Sequence, residues 1–380
     1  MIKKSIVIYI IVLLILNITA CETGGSGSRN TRNTQRHVDL PLKTIYQDYF
    51  LIGNIVNNTY LRENYLHILK THYNTVTSEN HMKPDHLAPR QQGGQYQWTS
   101  ADNQLRVMTE NGIKVHGHTL VWHNQTPQWM TQGTPAQVRQ NMTAHINTVL
   151  AHYKGKIFSW DVVNEAVKER VNPGEDLTNW RTHLREDSEW FKALGADYIE
   201  LAFRTARAAD PDLLLYYNDY NLDNSRKAQV TANMIKDIND RYRAQGNNRN
   251  LIDGIGMQGH YGLSTSVANV RASIERFIAI GIKVDISELD VEIRSVGSGR
   301  FGTGRASSVS EMDARLQAIK YAELFNMFKE YKGHITRVTM WGIDDDTSWK
   351  SLGNPVLFDR MVNPKPAFFA VANPNRALGL

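Results

Sequence analysis

Residues 157–166 read Ile157-Phe158-Ser159-Trp160-Asp161-Val162-Val163-Asn164-Glu165-Ala166, and they decide the fold. The run 157–163 is apolar and rich in β-branched residues, as a strand buried in a parallel sheet is. It ends abruptly in two polar side chains, Asn164 and Glu165. Ahead of it lies a helical pattern at 135–153, followed by Gly155, a residue suited to the left-handed turn after a helix. The unit is therefore helix, glycine, apolar strand, polar rim.

The same unit recurs along the chain. Further apolar or β-branched runs lie at 50–55, 75–78, 113–118, 213–218, 252–258, 283–288 and 335–341, which with 157–163 makes eight candidate strands. Helix-like patterns at 101–111, 135–153, 197–209, 225–244, 267–280 and 311–331 fall between them, and Gly112 and Gly281 repeat the stop at Gly155. Strands separated by helices imply parallel βαβ units. Eight such units predict an α/β fold, a single (β/α)8 TIM barrel with its chemistry at the C-terminal strand ends. The rival, an open doubly wound sheet, ordinarily carries a Gly-rich phosphate turn after an early strand. The sequence offers no such turn.

The polar and aromatic side chains gather where this rim should be. The runs end in Ser78-Glu79-Asn80-His81-Met82-Lys83, His116-Gly117-His118-Thr119-Leu120-Val121-Trp122-His123, Asn164-Glu165, Tyr217-Asn218-Asp219, Gln258-Gly259-His260, Glu288-Leu289-Asp290 and Trp341-Gly342. A mere scaffold gains little from this, because buried polar groups are costly unless paired. Glu165 and Glu288 would face each other across the barrel mouth. A carboxyl pair is what glycoside hydrolysis needs, one group protonating the leaving oxygen and the other attacking or activating water. Trp122, Trp341 and Trp349 offer flat faces for sugar rings.

The sequence resembles glycoside hydrolase family 10, the β-1,4-xylanases, over 42–373. The motifs that carry the resemblance are SENHMK, GHTLVWH, WDVVNEA, GADYIELAFRTAR with ADP, YNDYN, GMQGHY, ISELD, and MWGIDDDTSW before PKPA. The resemblance implies Glu165 as acid/base and Glu288 as nucleophile of a retaining double displacement, with the carboxyls about 5–5.5 Å apart. It implies Glu79, Asn80, Lys83, His118, Trp122, Asn164, Gln258, His260 and Trp341 as sugar-binding on the glycone side, with Trp349 covering the sugar. Tyr217 and Asn218 would line the site near the leaving side. His260 would hydrogen-bond the nucleophile with Asp290 behind it, and Asp161 would orient the polar network. The implied substrate is xylan or arabinoxylan, cut internally by a monomer without cofactor or metal.

Two departures stand out. Pro84 takes a place where the family commonly carries a large aromatic, and residues 295–308 form a Gly-rich loop after the nucleophile run. The charged stretch 168–189 reads as an individual rim loop. Rival readings are His116 and His118 as zinc ligands, the tryptophans as plain core, and a glycan-binding protein without turnover. Within the enzyme class the alternative is a broader β-1,4-glycanase. His116 and His123 read better as supporting or packing residues.

The ends of the chain carry separate signals. Of 380 residues 41% are hydrophobic and 21% charged, an ordinary balance for a soluble globular chain. Lys3 and Lys4 precede an apolar run at 6–16, and Ile18-Thr19-Ala20 precede Cys21, the one cysteine. That order is the mark of a secretory signal, and the run is shorter than the ~20 residues of a spanning helix. It resembles a bacterial lipoprotein processing site. We therefore expect a signal peptide at 1–20, lipid on Cys21, a flexible tether at 21–39 and one catalytic domain at 40–380. The protein would be exported, lipid-anchored at a cell surface or in a periplasm, or else simply secreted. Loss of 1–20 takes the net charge from +5 to +3, too small an excess to suggest nucleic acid, whose binders cluster basic residues.

Overall fold

The computed structural model describes residues 40–293 and 309–380. The signal peptide, Cys21 and tether lie outside the described residues, as does the Gly-rich stretch 295–308. Among the described residues there are nine strands: β1 (Leu51–Val56), β2 (Thr75–Ser78), β3 (Lys114–Trp122), β4 (Ser159–Asn164), β5 (Leu214–Asp219), β6 (Gly254–Met257), β7 (His260–Gly262), β8 (Lys283–Glu292) and β9 (Ile335–Met340). Their pairings are parallel. β1 pairs with β2 on one side and β9 on the other, and β6 pairs with β8, so eight strands close into a ring. The expected (β/α)8 TIM barrel is the observed fold.

The surrounding helices are α1 (Glu63–His72), α2 (Thr99–Glu110), α3 (Pro135–Tyr153), α4 (Tyr198–Ala209), α5 (Ser225–Ala244), α6 (Val267–Ala279), α7 (Glu311–Glu330) and α8 (Pro366–Ala372). Local chemistry sets their ends. Thr134 and Gln137 form a reciprocal capping box at the start of α3, with Pro135 in the first turn, which satisfies donors a helix start otherwise leaves open. Gly112 and Gly155 follow α2 and α3 with φ of 71° and 73°, the left-handed stop expected of them.

Two details differ from the expectation. β3 runs to Trp122 and β8 to Glu292, beyond the ends read from sequence. β7 is the reason for the second: it lies outside the ring and pairs only along β8, with His260 opposite Asp290 and Gly262 opposite Glu292. The inside of the barrel beneath the rim is partly ionic. Arg337 is buried and reaches Asp285 through Nε at 2.5 Å and Thr77 through a terminal nitrogen at 2.9 Å, the paired state that buried charge requires. The two ends of the domain meet where the Tyr46 hydroxyl donates to the Val371 carbonyl at 2.6 Å.

Candidate active site

Glu288 occupies the middle of β8 and is only 6% exposed. The Asn218 amide donates to its Oε1 at 2.8 Å, and His260 Nε2 lies 3.1 Å from its Oε2. The other imidazole nitrogen is 2.8 Å from Asp290 Oδ2. Burial alone would lower the His260 pKa, but Asp290 and Glu288 outweigh it and raise it to about 9, so the ring is a cation at neutral pH. Burial would likewise raise the Glu288 carboxyl. The His260 hydrogen bond, the nearby imidazoles and the Asn218 amide hold it below its ordinary value instead. Asp290 is itself braced by the Trp349 indole at 3.1 Å and Lys350 at 3.4 Å.

Glu165 follows the last residue of β4 and has a positive φ of 55°, uncommon for a side chain with a Cβ. Three neutral donors hold its carboxyl. Trp122 Nε1 reaches Oε2 at 2.9 Å, Gln258 Nε2 reaches Oε1 at 2.8 Å, and Asn164 Nδ2 lies 3.3 Å from Oε1. Asn218 ties the two carboxyls together, since its amide nitrogen donates both to Glu288 and, at 2.9 Å, to Asn164 Oδ1. Gly256 leaves the room for this: a Cβ there would stand 2.1 Å from Asn218 Oδ1.

The cluster from β2 forms one flank of the cleft. Lys83 Nζ donates to Asn80 Oδ1 and Gln125 Oε1, both at 3.0 Å, and sits 5.0 Å from the Trp122 ring centre. Burial lowers its pKa, against the pull of Glu288, Glu79 and Glu165. Asn57 donates to Glu79 at 2.8 Å. Pro84 opens the short helix Pro84–Leu87 directly after Lys83. On the other side Trp341 meets His118 edge-on at 5.7 Å, and Trp349, 58% exposed, lies 4.8 Å from the His260 ring.

His116 and His118, the rival zinc pair, both turn to Asp161. His118 Nδ1 lies 2.9 Å and His116 Nε2 3.0 Å from the same Asp161 oxygen. Burial would raise the Asp161 pKa, but the two imidazoles press it well below the carboxylate range. Asp161 thus holds both imidazoles at one oxygen. His123 is half-buried, and burial together with Arg185 lowers its pKa to about 4.

One expected ligand does not reach the cleft. Tyr217 is fully buried, and its hydroxyl accepts from the Ala166 and Val167 amides at 2.9 and 3.1 Å and donates to Asp219 at 2.5 Å. Successive strand residues face opposite sides, so with Asn218 turned into the barrel Tyr217 points out toward the helices. It supports the turn after Glu165 rather than lining the site.

Sequence reading gave no role to Asp219 and Tyr220, though both stand in YNDYN, and passed over Lys227 and Arg185. Lys227, from α5, pairs with Asp219 at 2.7 Å, and both are fully buried. Arg185 Nε donates to the Glu165 carbonyl at 2.9 Å, and its other end contacts the Tyr220 hydroxyl. The available signal was the Asp in YNDYN, whose strand position puts it on the Tyr217 side.

Known proteins place this arrangement in a family. The profile of glycosyl hydrolase family 10 matches residues 41–374. Endo-1,4-beta-xylanase A of Thermotoga maritima is 36% identical over 346 residues, and this chain spans only 30% of that relative's length. The beta-1,4-xylanase of Dictyoglomus thermophilum is 35% identical over 380 residues, 97% of this chain and 98% of the relative. A crystal structure of a family 10 xylanase with a bacterial Ig-like domain, from termite gut, has a TM-score of 0.82 at 37% identity, covering 89% of this chain and 78% of that one. With the profile spanning nearly all of the barrel, the chain belongs to glycosyl hydrolase family 10.

Proposed function

We propose that the chain is an endo-1,4-β-xylanase that cuts xylan internally with retention of anomeric configuration. What carries the reading is the unequal treatment of the two carboxyls. Glu288 is kept ionised against the His260 cation and the Asn218 amide, as a nucleophile must be. Glu165 stands at the cleft just past the end of β4, with the Trp122 indole and the Gln258 amide on its carboxyl, and on this reading it is the group that handles the proton.

In the first displacement Glu288 bonds to the anomeric carbon while the glycosidic C–O bond breaks, and Glu165 passes its proton to the leaving oxygen. In the second, Glu165, now a carboxylate, takes a proton from water as the water oxygen attacks the same carbon and releases Glu288. Glu79, Asn80, Lys83, Asn164, Gln258 and His118 offer polar contacts to the sugar hydroxyls, and Trp122, Trp341 and Trp349 supply apolar faces. Asn218 acts through Glu288 and Asn164.

Product analysis on arabinoxylan and carboxymethylcellulose, with proton NMR of the first-formed anomer, tests this. Short xylo-oligosaccharides from arabinoxylan alone, released first as the β-anomer, are expected. Release from both polymers would widen the activity to a β-1,4-glycanase. An α-anomer formed first would overturn the double displacement, and binding without release would overturn the enzyme reading.

We further infer that the chain is exported and carries lipid on Cys21, on the strength of the leader pattern at 1–21. Radioactive fatty acid should label the wild type and not Cys21→Ala; label on both, or on neither, would sink the anchor.

A further inference from the structure

The segment that carries Glu165 leaves β4 through a left-handed residue, a conformation unfavourable for a side chain with a Cβ. It persists because its backbone is held from two directions. From the barrel side, the Glu165 amide donates to the Asn218 carbonyl at 2.8 Å, and the next two amides both donate to the Tyr217 hydroxyl. From the opposite side comes the rim loop 168–189. Val167 pairs with Leu184 in an antiparallel bridge, Lys168 donates to the His183 carbonyl at 2.8 Å, and the Arg185 amide donates to the Ala166 carbonyl at 2.9 Å. The Arg185 side chain closes this clamp on the Glu165 carbonyl.

The rim loop has its own footing on α5. Arg226 donates to the Glu175 carbonyl at 2.8 Å, Asn233 donates to the Leu177 carbonyl at 2.8 Å, and the Trp180 indole donates to Asp237 at 3.0 Å. Arg185 is thus fixed by a braced loop, with its side chain 14% exposed.

Among the charges around it, Arg185 is the cation bonded to the Glu165 main chain. Asp219 is already neutralised by Lys227, and the Lys227 ammonium lies 3.9 Å from the Tyr220 ring centre. His123, pushed down to about 4, carries no charge at neutral pH. On the loop itself Asp187 stands 3.9 Å from Arg185 and is largely exposed, and Glu169 is exposed too, so water screens both. Across the cleft Lys83 faces Glu288, Glu79 and Glu165 together.

We propose that Arg185 is a positioning residue for the acid/base: it fixes Glu165 through the main-chain carbonyl and places a permanent positive charge where Glu165 must become a carboxylate after the first displacement. The proposal rests on the reading of Glu165 as acid/base. A guanidinium suits the task because it stays charged at any working pH and can grip two oxygens at once. Arg185 has the Glu165 carbonyl in one hand and the Tyr220 hydroxyl in the other.

The test compares Arg185→Gln and Arg185→Lys with wild type on xylan and on 2,4-dinitrophenyl β-xylobioside, whose leaving group needs no proton. Arg185→Gln should lower kcat by roughly 10-fold to 100-fold on both substrates. On the aryl substrate a burst of dinitrophenol should appear, because the second displacement becomes slow. Its alkaline limb on xylan should move upward by about half a pH unit or more, since the charged form of the acid/base has lost a cation. Arg185→Lys should keep the alkaline limb in place and lose only turnover. Wild-type kcat and an unmoved alkaline limb in Arg185→Gln would overturn the proposal, as would equal limbs in the two variants with both shifted. Should Arg185→Gln fail to fold, Arg185→Lys decides: full wild-type turnover refutes the positioning role. An inactive wild type, or a fully active Glu165→Gln, would instead strike the acid/base reading itself.

Discussion

Glu288 and Glu165 are the same functional group set in two different frames. Glu288 stands inside a ten-residue strand, with a cation on one oxygen and an amide on the other. Glu165 stands one residue past a strand end, on a left-handed turn, with its carboxyl among neutral donors. The strand gives the first carboxyl a fixed place and a fixed charge. The turn gives the second a fixed place among uncharged side chains. On the proposed mechanism the two frames divide the work, the strand holding the nucleophile and the turn the acid/base.

The largest effect that could break the comparison is at the fixed charge. Glu288→Gln should reduce turnover of xylan on the order of 10⁴-fold, as loss of a nucleophile does, and a variant that keeps most of its activity would remove Glu288 from the chemistry. Next comes Glu165→Ala, expected to lose roughly 10²-fold to 10⁴-fold on xylan. On 2,4-dinitrophenyl β-xylobioside, whose leaving group needs no proton, it should be partly rescued by azide, which attacks the glycosyl-enzyme without a general base and gives a β-xylobiosyl azide. Rescue giving the α-azide would mean that the two roles are assigned the wrong way round.

The third effect sharpens the difference in charge. His260→Gln should cost roughly 10-fold to 100-fold in kcat, the range for a group that tunes a neighbouring ligand. It should also alter stability with pH. The folded pKa of His260 is raised to about 9 from the ordinary 6.5. Its contribution is therefore present in full below about pH 6.5 and is lost as pH rises through about 9. The Tm gap between wild type and His260→Gln should close over that interval, and a gap that widens with pH would contradict a protonated imidazole. The smallest effect on catalysis is expected from Tyr217→Phe. Two buried backbone amides lose their acceptor, at about 1–3 kcal/mol of stability each. KM for xylan should stay near wild type, and a large rise in KM would restore Tyr217 as a direct ligand.

The barrel was legible because its strands announce themselves twice, by an apolar run and by the polar break that ends it. Glu165 and Glu288 were legible for the same reason, as acids where an acid has no business in a core. The clamp around Glu165 was not. Arg185 stands in a stretch dense with charge, and Lys227 lies near the start of a helix rich in lysine and arginine. In sequence such residues read as solvated surface, and only the fold reveals that Lys227 is wholly buried. Tyr217 was misread for a different cause. Strand alternation puts neighbours on opposite faces, and Tyr217 and Asn218 could not both have faced the cleft. The length of β8 escaped notice because its partner beyond the ring, β7, has only three residues, too few for a pattern.

The ring closes between its first strand and its last, Gly53 beside Thr339 and Asn54 beside Met340, with Tyr46 bonded to Val371 outside it. The ribosome makes β1 long before β9. Until β9 emerges the nascent sheet has a bare edge, the kind of surface that recruits unwanted strands. Its safety in that interval depends on how soon β9 follows, so the strand that closes the ring guards the solubility of those made before it.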